Sequence, residues 1–216
     1  MVPHGHDERR RSHLPQRQVH LDAFEIDCTE VTNRAFAPFA SEAGGEIAGW
    51  DVRLAEERGD ERATGVLWRD TEPSCARLDK RLPAEAEWER AARGTDGRRY
   101  PWGSIWDSDL ANTAESGNAS VLPAGSYPQR ASPDGLLDMA GNAAEWVADT
   151  FDLSYYSYAP DRNPVGPDLD TDHVLRGGSW ASPREHAQTF FRDSSHSARP
   201  NPRIGFRCAG DAAGTD

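Results

Sequence analysis

The stretch Gly135-Leu136-Leu137-Asp138-Met139-Ala140-Gly141-Asn142-Ala143-Ala144-Glu145-Trp146 lies past the middle of a 216-residue chain. Two carboxylates, Asp138 and Glu145, bracket a Gly-Asn pair. Gly141-Asn142 is turn chemistry, because glycine reaches positive φ without steric cost and asparagine bonds neighbouring backbone amides. Read as residues alone, Asp138, Asn142 and Glu145 serve the amides of that turn.

The same character extends outward. From Gly97 onward Gly, Pro, Asn, Asp and aromatic residues dominate, and only short strands are expected, at 120–127, 173–175 and 204–208. Upstream, Arg81 to Gly94 is the clearest helix: Pro83 precedes it, Glu85 and Glu87 favour the positive end of the helix dipole, and Gly94 is placed to end it. Ala84, Trp88, Ala91 and Ala92 share one face, which makes Trp88 its anchor, and Glu89 with Arg93 forms an i,i+4 pair. Thr32 is placed to cap a short helix carrying Phe36 and Phe39 inward, with a kink or early end expected at Pro38. Asp70 is placed to cap another, with Cys75 and Leu78 inward. Val19 to Ile26 reads as a strand, and 41–65 as a variable acidic surface loop. Residues 1–18, which include His4 and His6, read as a flexible arm, 19–210 as the domain, and 211–216 as a frayed tail.

A chain of this length supports one sizeable core. With 19 Gly and 15 Pro but 7 Trp, that core is expected to be a loop-rich single domain pinned by large aromatic residues. The net charge of -12 argues against nucleic acid and against anionic membrane surfaces as partners. No apolar run approaches the ~20 residues of a membrane span. The start of the chain shows no apolar leader core, so a cytoplasmic protein is expected, although an exported chain shown without its leader would read the same. The three cysteines, Cys28, Cys75 and Cys208, have no CxxC spacing, which excludes a zinc knuckle or thioredoxin-type motif, and the odd count leaves at least one thiol unpaired.

Six segments, in order, carry a resemblance to a known bacterial and animal family. They are Phe24-Glu25-Ile26-Asp27 with Glu30-Val31-Thr32-Asn33; Lys80-Arg81-Leu82-Pro83 with Glu85-Ala86-Glu87-Trp88-Glu89; Tyr100-Pro101-Trp102-Gly103; the 135–146 stretch; Leu175-Arg176-Gly177-Gly178-Ser179-Trp180; and Ile204-Gly205-Phe206-Arg207-Cys208. Together they resemble the formylglycine-generating enzymes, or sulfatase-modifying factors. The resemblance implies a C-type-lectin-like α+β fold with little regular secondary structure, Trp88, Trp102, Trp146 and Trp180 as structural residues, and Cys75 and Cys208 close enough to bridge. Cys28 is expected to be a lone buried thiol.

The resemblance also implies a chemistry and shows its loss. The family's oxidases hold copper with two cysteines shortly after the Gly-Gly-Ser-aromatic motif, since soft thiolates suit Cu(I). Extending from Gly177 to Trp180, those places fall on Ser182 and Ala187. A hydroxyl and a methyl cannot replace two thiolates, so copper-dependent oxidation of cysteine to formylglycine is not expected. The remaining cleft candidates are Ser179, Ser182, Glu185, His186 and His196, with Arg184, Arg192, Asp193 and Arg199 nearby. Glu185, His186 and His196 form a candidate two-His, one-carboxylate iron set, and His186 a candidate base. By the same resemblance Asp138, the Gly141 and Ala143 carbonyls and Glu145 match a calcium site, and Asn112 with Thr113 a doubtful second one. Arg176 and Arg207 are expected in structural ion pairs. Two functions remain open: an enzyme of altered, cysteine-free chemistry, including an oxidative maturation step with another metal, or a non-catalytic, calcium-stabilised lectin-like module. Both take a peptide, protein or small molecule in the cleft. The sequence does not set the substrate or the oligomeric state.

Overall fold

The computed structural model describes residues 12–44, 47–169 and 172–212. Helices and strands are short and mixed. The sheet at the centre has four strands in the order β4-β3-β2-β5: β2 (Ala144–Thr150), β3 (His173–Arg176), β4 (Asp193–Ser195) and β5 (Ile204–Phe206). β2 pairs antiparallel with β3, with Glu145 opposite Arg176, and parallel with β5, with Glu145 beside Gly205. A second, two-stranded sheet joins β1 (Phe24–Ile26) to β6 (Ala209–Asp211). No helix among the described residues is long and apolar enough to cross a membrane.

Four α-helices cover the sheet: α1 (Asn33–Glu42), α2 (Leu54–Glu57), α3 (Trp68–Ala76) and α4 (Glu85–Arg93). α4 forms where its apolar period predicts, with Trp88 fully buried and Ala91 and Ala92 inside. Ala84 cannot cap it. The Glu87 carboxylate instead accepts the Ala84 N–H at 2.8 Å, and the Asp149 carboxylate accepts the Glu85 N–H at 2.7 Å. These two bonds satisfy donors that a helix start otherwise leaves open. α1 begins at the expected cap, Thr32, whose hydroxyl accepts the Ala35 N–H at 3.3 Å.

The largest core packs Phe36, Trp50, Trp146, Ile204 and Phe206 around the Cys75–Cys208 disulfide, which ties α3 to the chain beyond β5. A second cluster gathers Trp88, Met139, Val147 and Val174, and a third, smaller one Tyr100, Ala140 and Ala187.

Several expectations are corrected. Pro38 neither ends nor truncates α1, which runs on to Glu42 because Phe36 and Ala40 are wholly buried on either side of it. The 41–65 segment is not simply a surface loop: Ile47, Trp50, Arg62 and Ala63 are buried. α3 starts before Asp70, and Leu78 lies past its end and is exposed. The strand expected over Val19 to Ile26 is limited to β1, and 120–127 is loop. Cys28 is exposed rather than buried. Of the supposed arm, 12–18 lies against the body: Ser12 is buried and its carbonyl accepts from Arg192, while Arg17 pairs with Asp161. Asp211, assigned to the frayed tail, lies in β6 opposite Phe24 and pairs with Arg81. His4 and His6 lie outside the described residues.

Candidate functional site

The loop that leaves β3 carries the Gly-Gly-Ser-Trp motif. Gly178 has φ +69, and a Cβ there would meet the His186 backbone at 3.0 Å, so only glycine lets the loop return this closely on itself. The Gly177 carbonyl accepts the Gly141 N–H at 2.8 Å, and the Asn142 carbonyl accepts the Trp180 N–H at 3.0 Å. The motif is thereby stitched to the 135–146 turn. That turn is equally tight: Gly141 has φ +76, and a Cβ there would strike the Asn112 carbonyl oxygen at 2.4 Å.

Beyond the motif, Ser179 and Ser182 face each other, Oγ to Oγ at 2.9 Å. Ser182 Oγ also accepts the Ser179 N–H at 3.0 Å, and the Ser182 N–H donates to the Ser179 carbonyl at 2.9 Å. Ser179 is buried and Ser182 half-buried. Ala187 is buried against Tyr100 and Ala140. Over that spot Tyr100 and Trp102 stack at 5.3 Å with rings 7° from parallel, and Trp106 leans on both. Trp102 and Trp180 are half-buried, unlike Trp88 and Trp146, which are wholly inside. Glu115 fixes the loop from outside by accepting the Arg184 N–H at 3.0 Å and the Thr113 hydroxyl at 2.8 Å. Burial alone would raise its carboxyl, but these donors hold it below the usual value.

The candidate iron residues do not converge. His186 stacks on Phe191 at 4.1 Å and turns its Nδ1 to Asp193 at 3.5 Å. Glu185 is exposed and meets Arg184 at 3.3 Å, while His196 is exposed and accepts the Ala198 N–H at 3.2 Å. Among the described residues no group of three or more His, Cys, Asp or Glu is arranged to hold a metal ion. Arg192, counted in the cleft from sequence, is wholly buried. It grips the Glu85 carboxylate at 2.7 and 2.8 Å and lies 4.3 Å over the Tyr156 ring. Arg199 is exposed.

The two carboxylates of the calcium candidate set are both paired with arginines. Both Glu145 oxygens accept from Arg207, at 2.7 and 2.8 Å, and one also accepts from Trp88 Nε1 at 2.9 Å. Asp138, at φ +64, meets the Arg62 guanidinium through Oδ2 and accepts the Gly125 N–H there at 2.6 Å. A guanidinium lies against each of these carboxylates, Arg207 at Glu145 and Arg62 at Asp138, and fixed positive charge so close disfavours a divalent cation there. Asn112 is equally engaged: its amide donates to the Ser120 carbonyl and to Asn142 Oδ1, at 2.9 and 2.8 Å.

Sequence reasoning missed Glu30 and Arg62, the buried partners of this cluster. Arg62 Nε lies 2.5 Å from Glu30 Oε1. Burial pushes the Glu30 carboxyl up; Arg62 pulls the other way, and the charges of Glu145 and Asp138 push it further up. No local pattern marks either residue, because their contacts cross long sequence distances. Arg176 and Arg207 stand in the expected ion pairs, Arg176 reaching Glu89 at 2.7 Å.

These positions can be set beside known proteins. The formylglycine-generating enzyme of Streptomyces coelicolor is 35% identical over 257 residues, a match that covers 92% of this chain and 81% of that protein. The serine/threonine-protein kinase Pkn1 of Chlamydia trachomatis is 34% identical over 96% of this chain, which spans only 36% of the kinase. Among solved structures, PvdO from Pseudomonas aeruginosa superposes with a TM-score of 0.81 at 24% identity, over 97% of this chain and 89% of that one. The architecture of formylglycine-generating enzymes and their C-type-lectin-like neighbours is therefore the fold of this chain. The sulfatase-modifying factor enzyme 1-like domain matches residues 1–212, and this chain belongs to that family.

Proposed function

We propose that this chain binds a peptide or small molecule in the family cleft, beside Ser179 and Ser182, without copper-dependent oxidation of cysteine. One observation carries the reading. The places on either side of the cleft loop hold a hydroxyl bonded to a second hydroxyl and a methyl packed in an apolar spot, Ser182 and Ala187. The chain has three cysteines, and two of them are joined to each other in the core. A pair of free thiolates to hold Cu(I) is thereby missing. The half-buried Trp102, Trp106 and Trp180 offer flat apolar area for a ligand, and the serine pair supplies hydroxyls to orient it.

The test is to incubate the purified chain with copper, oxygen and a peptide containing Cys-x-Pro-x-Arg, following the peptide by mass spectrometry. No aldehyde is expected, and measurable aldehyde defeats the reading. A companion measurement follows tryptophan fluorescence during titration with a peptide library. Saturable quenching that is lost in W180A supports cleft binding; quenching untouched by W180A argues against it.

A further inference from the structure

Arg62 has no exposed side-chain surface, yet it lies in a segment that reads as surface loop. It is placed by an antiparallel bridge between Thr32 and Arg62, extended by the Asn33 N–H donating to the Glu61 carbonyl at 2.8 Å. From there its fork reaches three separate segments. Nε faces Glu30 Oε1 at 2.5 Å, Nη2 faces Asp138 Oδ2, and Nη1 donates to the Leu122 carbonyl at 2.5 Å. Two carboxylates and a backbone carbonyl are the oxygen donors a hard divalent cation takes. A guanidinium differs in that its charge is covalently tethered and does not titrate in proteins.

We propose that the Arg62 guanidinium is a permanent, built-in cation of this fold, holding Glu30, Asp138 and the 122 segment together as a divalent metal ion would. The neighbouring charges agree. Arg207 is fully occupied by Glu145 and by the Asp27, Cys28 and Leu137 carbonyls, and its nearest approach to Glu30 is 3.8 Å. Arg207 therefore reaches Glu30 only as a longer ion pair, beyond hydrogen-bond distance. Without Arg62 Glu30 and Asp138 would lie in the interior beside Glu145 with the more distant charge of Arg207 alone. Asp138 Oδ1 and both Glu30 oxygens are buried without a hydrogen-bond partner, their contact with Arg62 being an ion pair, so the cluster keeps acceptors that a replacement cation would find. This role of Arg62 is independent of what the cleft binds.

The experiment compares thermal melting of the whole chain in chelator, in calcium and in magnesium. Wild type is expected to melt at one temperature in all three. R62M is expected to melt lower in chelator and to recover part of the loss in calcium, because the vacated site now presents uncompensated carboxylates. Four results overturn the proposal: a wild-type chain whose Tm falls in chelator; an R62M chain that melts like wild type; an R62M chain that is destabilised but indifferent to calcium, which leaves an ordinary buried ion pair; and calcium bound tightly by wild type but not by R62M. Should R62M fail to fold, R62K decides. Lysine keeps the charge, but its donors radiate from one nitrogen and do not span the three acceptors that separate guanidinium nitrogens reach. A lowered Tm that chelator leaves unchanged supports the proposal, whereas a wild-type Tm, or one that chelator lowers further, overturns it.

Discussion

The two sides of the 135–146 turn are built on opposite terms. On its inner side, Glu145 is wholly buried and every oxygen is committed, to Arg207 and to Trp88. On its outer side the turn meets the motif loop, where Ser179 and Ser182 satisfy mainly each other. The inner side is fixed by charge in a place water does not reach, where an unmatched partner is costly. The outer side is fixed by backbone bonds and by one pair of neutral hydroxyls, worth roughly 1 kcal/mol each. This difference explains why the frame and the chemistry can be separated. The charged pairs that hold the frame are separate from the serine pair, so Ser179 and Ser182 can change with less cost to the fold.

The strongest way to break this comparison is at Arg207. R207M leaves Glu145 and three backbone carbonyls without their donor in the interior, and removing one partner of a buried pair costs about 3–5 kcal/mol. The expected result in chemical denaturation is a loss of that size or a chain that no longer folds. A loss under about 1 kcal/mol would show that the inner side is no more demanding than a surface pair. Reduction of Cys75–Cys208, which closes a sequence separation of 133 residues, is expected to cost about 2–5 kcal/mol, read as a drop in Tm in reductant that C75A/C208A reproduces without it.

How far the sequence could be read follows the same division. α4 was legible because its cues are local: an apolar face around Trp88, acids at the start, Gly94 at the end. β2 was not, because both its faces are buried and the run from Ala144 to Val147 shows no alternation, so a strand at the centre of the sheet reads as the continuation of a turn. The expected loss of the thiol pair rests on two letters, Ser182 and Ala187. The roles of Glu30 and Arg62 were not legible, since an arginine 32 positions away has no pattern that marks it as the partner of a buried acid. The resemblance places calcium at Asp138 and Glu145, and the sequence does not show the guanidiniums that reach these carboxylates.

A second inner cluster sharpens the comparison through pH. Asp149 is buried, accepts the Glu85 N–H, and has its carboxyl pushed up to about 7 from 3.8 by burial and then by the charge of Glu85. The folded state therefore holds this proton more tightly than the unfolded chain. Its contribution is complete below about pH 4 and is lost as pH rises through about 7, a change of up to about 4 kcal/mol. Stability is expected to fall between about pH 4 and 7 on the order of that figure, and D149N is expected to flatten part of the slope. An unchanged slope in D149N would place the titration elsewhere, and Glu30, pushed up in the same direction, is the first alternative.

The smallest effect on stability is expected at the cleft itself, which makes it the sharpest test of the separation. S182A removes the Oγ contact with Ser179 and the acceptor of the Ser179 N–H, but Ser182 itself is half-buried, so water can take the place of the lost hydroxyl. A loss of about 1 kcal/mol or less is expected in denaturation, well below that of R207M. The loop's backbone bonds, from Trp180 N–H to the Asn142 carbonyl and from Ala114 N–H to the Ser182 carbonyl, do not depend on the side chain and should hold its course. If S182A instead costs as much as R207M, the serine pair is part of the frame, and the claim that Ser179 and Ser182 can change with less cost to the fold does not stand.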